Sequence, residues 1–457
     1  MFSFPRISRV AIIGAGPGGI AAARALRAEG DVFEKITLFE RNAAVGGTWI
    51  YSPETNATPP MPSVNALQVD PPCQAAPPHP PKSPMYQELH TNLPSDVMAF
   101  RDIAFPSGTP TFPDRKQVLD YVEHVATQEG LKPLIRFNST VTRVDPLHDN
   151  TWQVSVTDQN GDGKKEYQEQ YDAVIVASGH YYVPYVPDFV GLSDYVKTSK
   201  VTVMHSREYR KASDFKNKNV LVVGSGSSGS DIVRQITDVA SNVYHCVRTH
   251  TSFSQSLHDN APANLQLVGP LTTFHPTTGA IDYQEHHNND NSRQLVNLDA
   301  VIFATGYLFS FPFLPFEKDA IIVDGQNVTG LYKWMFYMNN PTLSFVGLPI
   351  RVVPMPLMQS QSTVIARVLS QRIPLPSTTI MQSHVTTVSN NDRHSIVMGA
   401  QTEFDYVESL SAWAENKAND MDAWRNQSTD IITGPLSERW KERRQRSLQL
   451  RLECLGY

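Results

Sequence analysis

The sequence predicts an α/β protein built from two Rossmann-like dinucleotide-binding domains, the second inserted into the first. Three observations carry this. A strand, a glycine-rich turn and a helix follow one another from Val10 to Ala28, with GAGPGG at 14 to 19. The pattern returns as the apolar run Val220 to Val223 followed by GSGSSG at 224 to 229. A near repeat, DAVIVASGHY from Asp172 and DAVIFATGY from Asp299, brackets the second pattern, so the chain is expected to leave the first domain through one copy and return through the other.

The first element, Val10 to Ile13, is short, apolar and β-branched, as suits a strand buried on both faces. Gly14 permits the tight turn and Gly16 a close approach to a diphosphate, while Gly19 lets the helix Ile20 to Ala28 pack on the strand. A diphosphate there meets free amides and the positive end of the helix dipole. The second strand, Ile36 to Phe39, ends in Glu40, where a carboxylate accepts ribose hydroxyls about twenty residues past the glycines.

Gly46 to Trp49, GGTW, reads as a loop that approaches something bulky, with Trp49 able to cover a flat ring or pack into core. Positions 53 to 84 hold PP pairs at 59, 71, 77 and 80 and read as an extended surface insertion or linker. Asn92, in Thr-Asn-Leu-Pro, reads from its neighbours alone as a turn residue. Pro113 to Gln128 predicts a helix with one buried face, and Val141 to Val144 with Trp152 to Thr157 an antiparallel hairpin or meander.

In the inserted segment, Ser230 to Ala240 predicts a helix and Asn242 to Val247 the strand after it. That strand ends without an acid. Arg248 stands where the first domain has Glu40, with His250 close by, and a guanidinium there suits a 2′-phosphate, so NADP is expected over NAD. Leu343 to Gly347 predicts a strand and Pro356 to Leu369 a helix; two or three amphipathic helices are expected from Thr402 to Tyr457, the last basic on one side. That face suits either packing against the protein or a membrane surface.

The composition excludes several classes. With 39 basic and 45 acidic residues the formal charge is −6, which gives no footprint for nucleic acid. Cys73, Cys246 and Cys454 are far apart, without a CxxC pair or metal-like spacing, so neither a disulfide framework, a redox dithiol nor a metal site is expected. No stretch reaches 18 uninterrupted apolar residues, and the first strand begins too early for a signal peptide, so no transmembrane segment and a cytoplasmic location are expected.

Taken in order from Arg9 to about Leu369, these motifs resemble the flavin-containing monooxygenases, the soluble yeast and fungal members most closely. The resemblance implies an FAD-binding domain at 1–182 and 299–457, carrying the proline-rich insertion 53–84, and an inserted NADPH-binding domain at 183–298. It assigns Gly14, Gly16, Pro17, Gly18, Gly19, Glu40, Arg41, Gly47, Thr48 and Trp49 to cofactor binding at the FAD site. Gly224, Gly226, Ser227, Ser228, Gly229 and Arg248 fall to NADPH, and Thr305 and Gly306 to the second interdomain link beside the cofactors.

HSREY, His205 to Tyr209, resembles the closing half of the family's identifying sequence FxGxxxHxxx(Y/F). Its opening half is out of register: Ser199 and Val201 occupy the Phe and Gly places, and Phe189 to Gly191 lies too far upstream. Tyr209 replaces the Trp typical of Baeyer-Villiger enzymes, which favours oxygenation of a heteroatom.

The implied reaction is reduction of FAD by NADPH, addition of O2 to give a C4a-hydroperoxyflavin, and attack by a soft nucleophile, a thiol, sulfide or amine. Asn92 then becomes the leading catalytic side chain. Alternatives that stay open are an amino-acid N-hydroxylase, an NADPH oxidase of the same architecture, and a non-enzymatic flavin-binding interaction module. Homodimerisation is also left open.

Overall fold

A computed structural model of the chain describes residues 5–72, 80–159, 163–248, 257–258, 261–285, 288–314, 321–389 and 396–455. Strand Arg9–Ile13 sits inside a seven-stranded sheet, parallel to Lys35–Phe39 on one side and Ala173–Val176 on the other. Its apolar run is fully buried, as an unbroken β-branched stretch between two helical layers requires. Leu343–Phe345 joins in parallel beside Ala173–Val176, and Phe336–Tyr337 and Leu331–Tyr332 close that edge antiparallel. Ile135–Arg136 forms the opposite edge.

A second sheet is wholly parallel, in the order Leu265–Val268, Asn242–Cys246, Asn219–Val223, Ala300–Phe303, Thr202–His205. This corrects the expected return to the first domain at 299, because Ala300–Phe303 pairs with Asn219–Val223 inside the second sheet. The two DAVI strands are equivalent members of two sheets: Ala173–Val176 flanks the first nucleotide strand as Ala300–Phe303 flanks the second. The repeat thus marks like positions in two sheets, not an exit from and a return to one domain. The crossings lie side by side, Val183–Pro184 pairing antiparallel with Tyr307–Leu308.

Both glycine-rich helices start earlier than expected, at Pro17 and Ser227, and run to Arg27 and Thr237. Proline suits the first helical position, since its missing N–H has no partner to lose there. The hairpin of 141–157 is present within Ser139–Pro146, Trp152–Asp158 and Lys165–Tyr171. A second antiparallel meander, Leu271–His275, Ala280–Glu285 and Asn288–Leu295, gave little signal because its last strand, NNDNSRQL, is almost entirely polar.

The proline-rich stretch is more than a surface insertion or linker, and the C-terminal helices pack against the protein. Within 53–84 the described residues include buried Met61, Ser63 and Ala66, and Ser63 forms a β-bridge with Val186. Arg207 Nη2 donates to Ala57 O at 3.0 Å and Arg210 Nη2 to Glu54 O at 3.0 Å, so this stretch is a strap fastened to the second sheet's unit. At the C-terminus the described helices are Ala400–Ala414, Met421–Gln427, Glu438–Gln445 and Ser447–Leu455. Their basic side chains face protein carboxylates: Lys441 with Glu408 (2.8 Å), Arg444 with Glu403 (2.9 Å) and Arg451 with Asp231 (3.1 Å). Among the described residues, no helix is long and apolar enough to cross a membrane.

Candidate active site

The two glycine loops are built alike. Gly14 N–H donates to Phe39 O at 2.8 Å, and Gly224 N–H to Cys246 O at 3.0 Å. A Cβ on Gly19 would stand 1.9 Å from Gly14 O, and one on Gly229 2.0 Å from Gly224 O. Each helix therefore presses on its own turn. Each leaves an extended glycine, Gly16 or Gly226, with no side-chain cap, so first-turn N–H groups stay free and the dipole favours an anion. A Cβ on Gly226 meets nothing within 4 Å, and Gly226, Ser227 and Ser228 are exposed. Both loops fit a diphosphate.

GGTW docks on the first loop. Gly46 N–H donates to Ala15 O at 3.2 Å, and a Cβ on Gly47 would lie 2.9 Å from Gly16 Cα, so bare backbones stack there. Gly46 and Gly47 both have positive φ, +136° and +56°. Thr48 Oγ1 is buried without a hydrogen-bond partner among the described residues, and Trp49 is partly buried against the core. An orphaned hydroxyl beside a stacked glycine pair is what a bound polar ligand would satisfy.

Glu40 is 3% exposed, and its Oε2 accepts the Ala15 N–H at 2.7 Å while Oε1 accepts the backbone and side-chain N–H groups of Asn42 at 2.9 and 2.7 Å. The carboxylate thus fixes the glycine loop. Gly18 rests near Val346 and Met358, and the Arg41 guanidinium lies 5.5 Å from the Tyr182 ring centre. Arg248 is exposed just past the strand Asn242–Cys246; His250 lies outside the described residues. Thr305 Oγ1 donates to Tyr185 O, and Gly306 O accepts the Tyr185 N–H at 2.9 Å, so both tie the two crossings together.

Asn92 is exposed, and its Nδ2 donates to Ser227 Oγ at 3.1 Å. It thereby meets the N-terminus of the second glycine helix, 135 residues away in sequence. Ser227, Asp231 and Gln235 form one i, i+4, i+8 stripe of that helix. All three bind the segment that carries Asn92: Tyr86 OH donates to buried Asp231, and Gln235 Nε2 donates to Glu88 O at 3.2 Å. Arg451 closes on Asp231 from the C-terminal helix. The stripe was readable as a polar face, but its partner segment is distant in sequence, so neither Asp231 nor Arg451 could be singled out.

HSREY forms the end of strand Thr202–His205 and a 3₁₀ turn, Ser206–Glu208. His205 Nδ1 accepts the Arg207 N–H at 3.1 Å, and Glu208 Oε2 accepts the His205 N–H at 3.2 Å. Arg207 Nε donates to Glu208 at 2.6 Å and Nη1 to Tyr182 O at 3.0 Å, linking the turn to the first crossing. Ser199 caps the helix Leu192–Thr198 and Val201 leads into the strand Thr202–His205. Burial, with Arg207 alongside, lowers the His205 imidazole to about 3.

Comparison with known proteins decides which chemistry this two-loop arrangement serves. The model of the flavin-binding monooxygenase-like family matches residues 78–278 and 281–422, and that of the NAD(P)-binding Rossmann-like domain matches 12–67. The chain belongs to the flavin-binding monooxygenase-like family. It is 32% identical over 439 residues to flavin-containing monooxygenase FMO GS-OX-like 3 of Arabidopsis thaliana, covering 92% of this chain and 90% of the relative. It is 31% identical over 386 residues to the thiol-specific monooxygenase of Saccharomyces cerevisiae, covering 81% and 79%.

Among solved structures, S-allyl-L-cysteine S-oxygenase from Allium sativum superposes with a TM-score of 0.74 at 29% identity, over 97% of this chain and 98% of that one. Cyclohexanone monooxygenase, at 14% identity and a TM-score of 0.59, shares the fold. This flavin-containing monooxygenase is therefore an oxidoreductase that uses FAD and NADPH.

Proposed function

We propose that this flavin monooxygenase uses NADPH and O2 to oxygenate nucleophilic sulfur or nitrogen in small molecules, sulfur foremost, with FAD on the loop Gly14–Gly19 and NADPH on the loop Gly224–Gly229. The bond from Asn92 to Ser227 carries the reading, because it brings an amide from the first unit to the mouth of the second nucleotide site. The likeness to a thiol-specific monooxygenase and an S-oxygenase supports sulfur. When bound, the flavin supplies the activation of O2.

The chain's own residues do the rest. Free amides of both helix starts bind the diphosphates, and Glu40 steadies the first loop and receives the ribose. Gly47, Thr48 and Trp49 shield the flavin side, and Arg248 takes the 2′-phosphate. Asn92 would offer its amide to the oxygen under activation and to the nicotinamide ribose, helping to hold the nucleotide in place while water is excluded. The tying of Thr305 and Gly306 to Tyr185 supports a positioning role for them at the crossing. A cytoplasmic location belongs to the same proposal.

Asn92→Ala tests it. The variant should keep FAD and anaerobic reduction by NADPH but divert O2 to H2O2. Unchanged coupling of NADPH to oxygenated product removes Asn92 from the reaction.

A further inference from the structure

Lys333 and Trp334 make the turn between strands Leu331–Tyr332 and Phe336–Tyr337, and both hold left-handed backbone, φ +50° and +53°. With Met335 N–H donating to Tyr332 O at 3.0 Å, the pair forms a type I′ hairpin turn, which fixes the direction in which both side chains leave the sheet edge. Lys333 is only partly accessible. Its Nζ lies 3.2 Å from Ser409 Oγ and 5.8 Å from the Tyr406 ring centre, and no carboxylate among the described residues pairs with it. Trp334 is 9% exposed and its Nε1 has no acceptor among the described residues.

His384 Nδ1 is likewise buried without a partner among the described residues. The Trp334 ring stands between the other two groups, its centre 5.7 Å from His384 and 5.6 Å from Tyr406, the ring that Lys333 Nζ overlies. Burial and the Lys333 charge lower His384 to about 4, and burial lowers Lys333 as well. The imidazole is thus neutral and able to donate from Nδ1. Buried cations are ordinarily paired and buried N–H groups ordinarily bonded. A carboxylate would satisfy all three donors.

The cluster adjoins the first glycine loop. Gly18 lies against Val346 and Met358, and the next residue, Gly347, donates its N–H to Gln361 Oε1 at 2.8 Å. Gln361 Nε2 donates to Tyr406 OH at 2.9 Å, and Tyr406 OH donates to Lys333 O at 2.7 Å. This relay runs from the carboxyl end of a parallel strand, the edge where ligands of such sheets bind, to the Lys333 turn. We propose that Lys333, Trp334 and His384 form a subsite for the carboxylate of a small substrate, so that this enzyme selects carboxylate-bearing thioethers or amines; the substrate part rests on the monooxygenase reading above.

The test is calorimetric titration of the purified, FAD-loaded enzyme with 3-(methylthio)propionate, its methyl ester and inorganic phosphate, alongside turnover of the acid. The acid should bind about tenfold or more tighter than the ester, the worth of a charge-assisted hydrogen bond. Lys333→Met should abolish that preference by weakening the acid alone. Trp334→Phe, which keeps the ring and loses the N–H, should weaken it severalfold and provides a second arm should Lys333→Met fail to fold. Equal binding of acid and ester overturns the subsite, as does a preference that survives both substitutions, or phosphate binding where the acid does not. Acid binding that depends on Lys333 without oxygenation of any sulfide leaves the subsite standing and defeats the monooxygenase reading instead.

Discussion

Two glycines in the second loop separate structure from ligand binding. A Cβ at position 229 falls 2.0 Å from Gly224 O, where ordinary contact begins at 3.4 Å, so in Gly229→Ala the helix and turn must part by about 1.4 Å. Both sides are backbone, so no side chain can yield. Overpacking of this kind costs about 3 kcal/mol, which lowers Tm by roughly 6–12 °C. At Gly226 a Cβ meets nothing, and Gly226→Ala should cost at most about 1 kcal/mol as a helix N-cap change.

The added methyl at 226 instead occupies the approach to the free amides. Losing one charge-assisted bond there weakens NADPH by about 10- to 100-fold. Thermal melts, flavin absorbance for FAD content, and the NADPH dependence of anaerobic flavin bleaching read the three effects apart. Gly226→Ala should melt like the wild type, keep FAD and lose NADPH affinity, whereas Gly229→Ala should lose stability. Wild-type NADPH affinity in Gly226→Ala, or loss of FAD with it, would refute the reasoning.

Other outcomes follow from the same geometry. Arg248→Ala should raise the KM for NADPH far more than for NADH, because only the former has the 2′-phosphate; equal changes in the two steady-state constants would defeat that assignment. His205 titrates near 3 when folded and near 6.5 unfolded, so its contribution is full above about pH 6.5 and is lost as pH falls toward 3. His205→Gln should flatten the decline of the urea midpoint between pH 6.5 and 4, and parallel curves for variant and wild type would contradict this. Arg451→Met takes from the buried Asp231 carboxylate its closest cation among the described residues, leaving Arg234 at 3.9 Å, and should cost about 3 kcal/mol, with part recovered in the double variant with Asp231→Asn; denaturant titration of the set checks it.

Much of the fold was legible because local rules and tertiary packing agree in the two nucleotide units. An apolar run such as Val220 to Val223, then glycines at fixed spacing, leaves few alternatives to a buried strand and a helix start. The repeat DAVI was equally visible, but its meaning was not: hydrogen-bond partners decide that Ala300–Phe303 belongs with Asn219–Val223, and pairing is a long-range property. Proline content suggested an extended surface insertion or linker at 53–84, yet Arg207 and Arg210, about 150 residues on, supply the donors that fasten it. The Asn92 contact and the Lys333 cluster were hidden for the same reason. Each gathers side chains from segments whose separate patterns read as a turn, a hairpin and a helix.

The most direct measurement of the central claim is oxygen transfer from labelled gas. Turnover of methyl phenyl sulfide under ¹⁸O2 with NADPH, read by mass spectrometry against NADPH consumed, should yield one labelled oxygen in the sulfoxide per NADPH. Consumption of NADPH with all the oxygen recovered as H2O2 and no label in the sulfur product, from this sulfide and from 3-(methylthio)propionate alike, would contradict it.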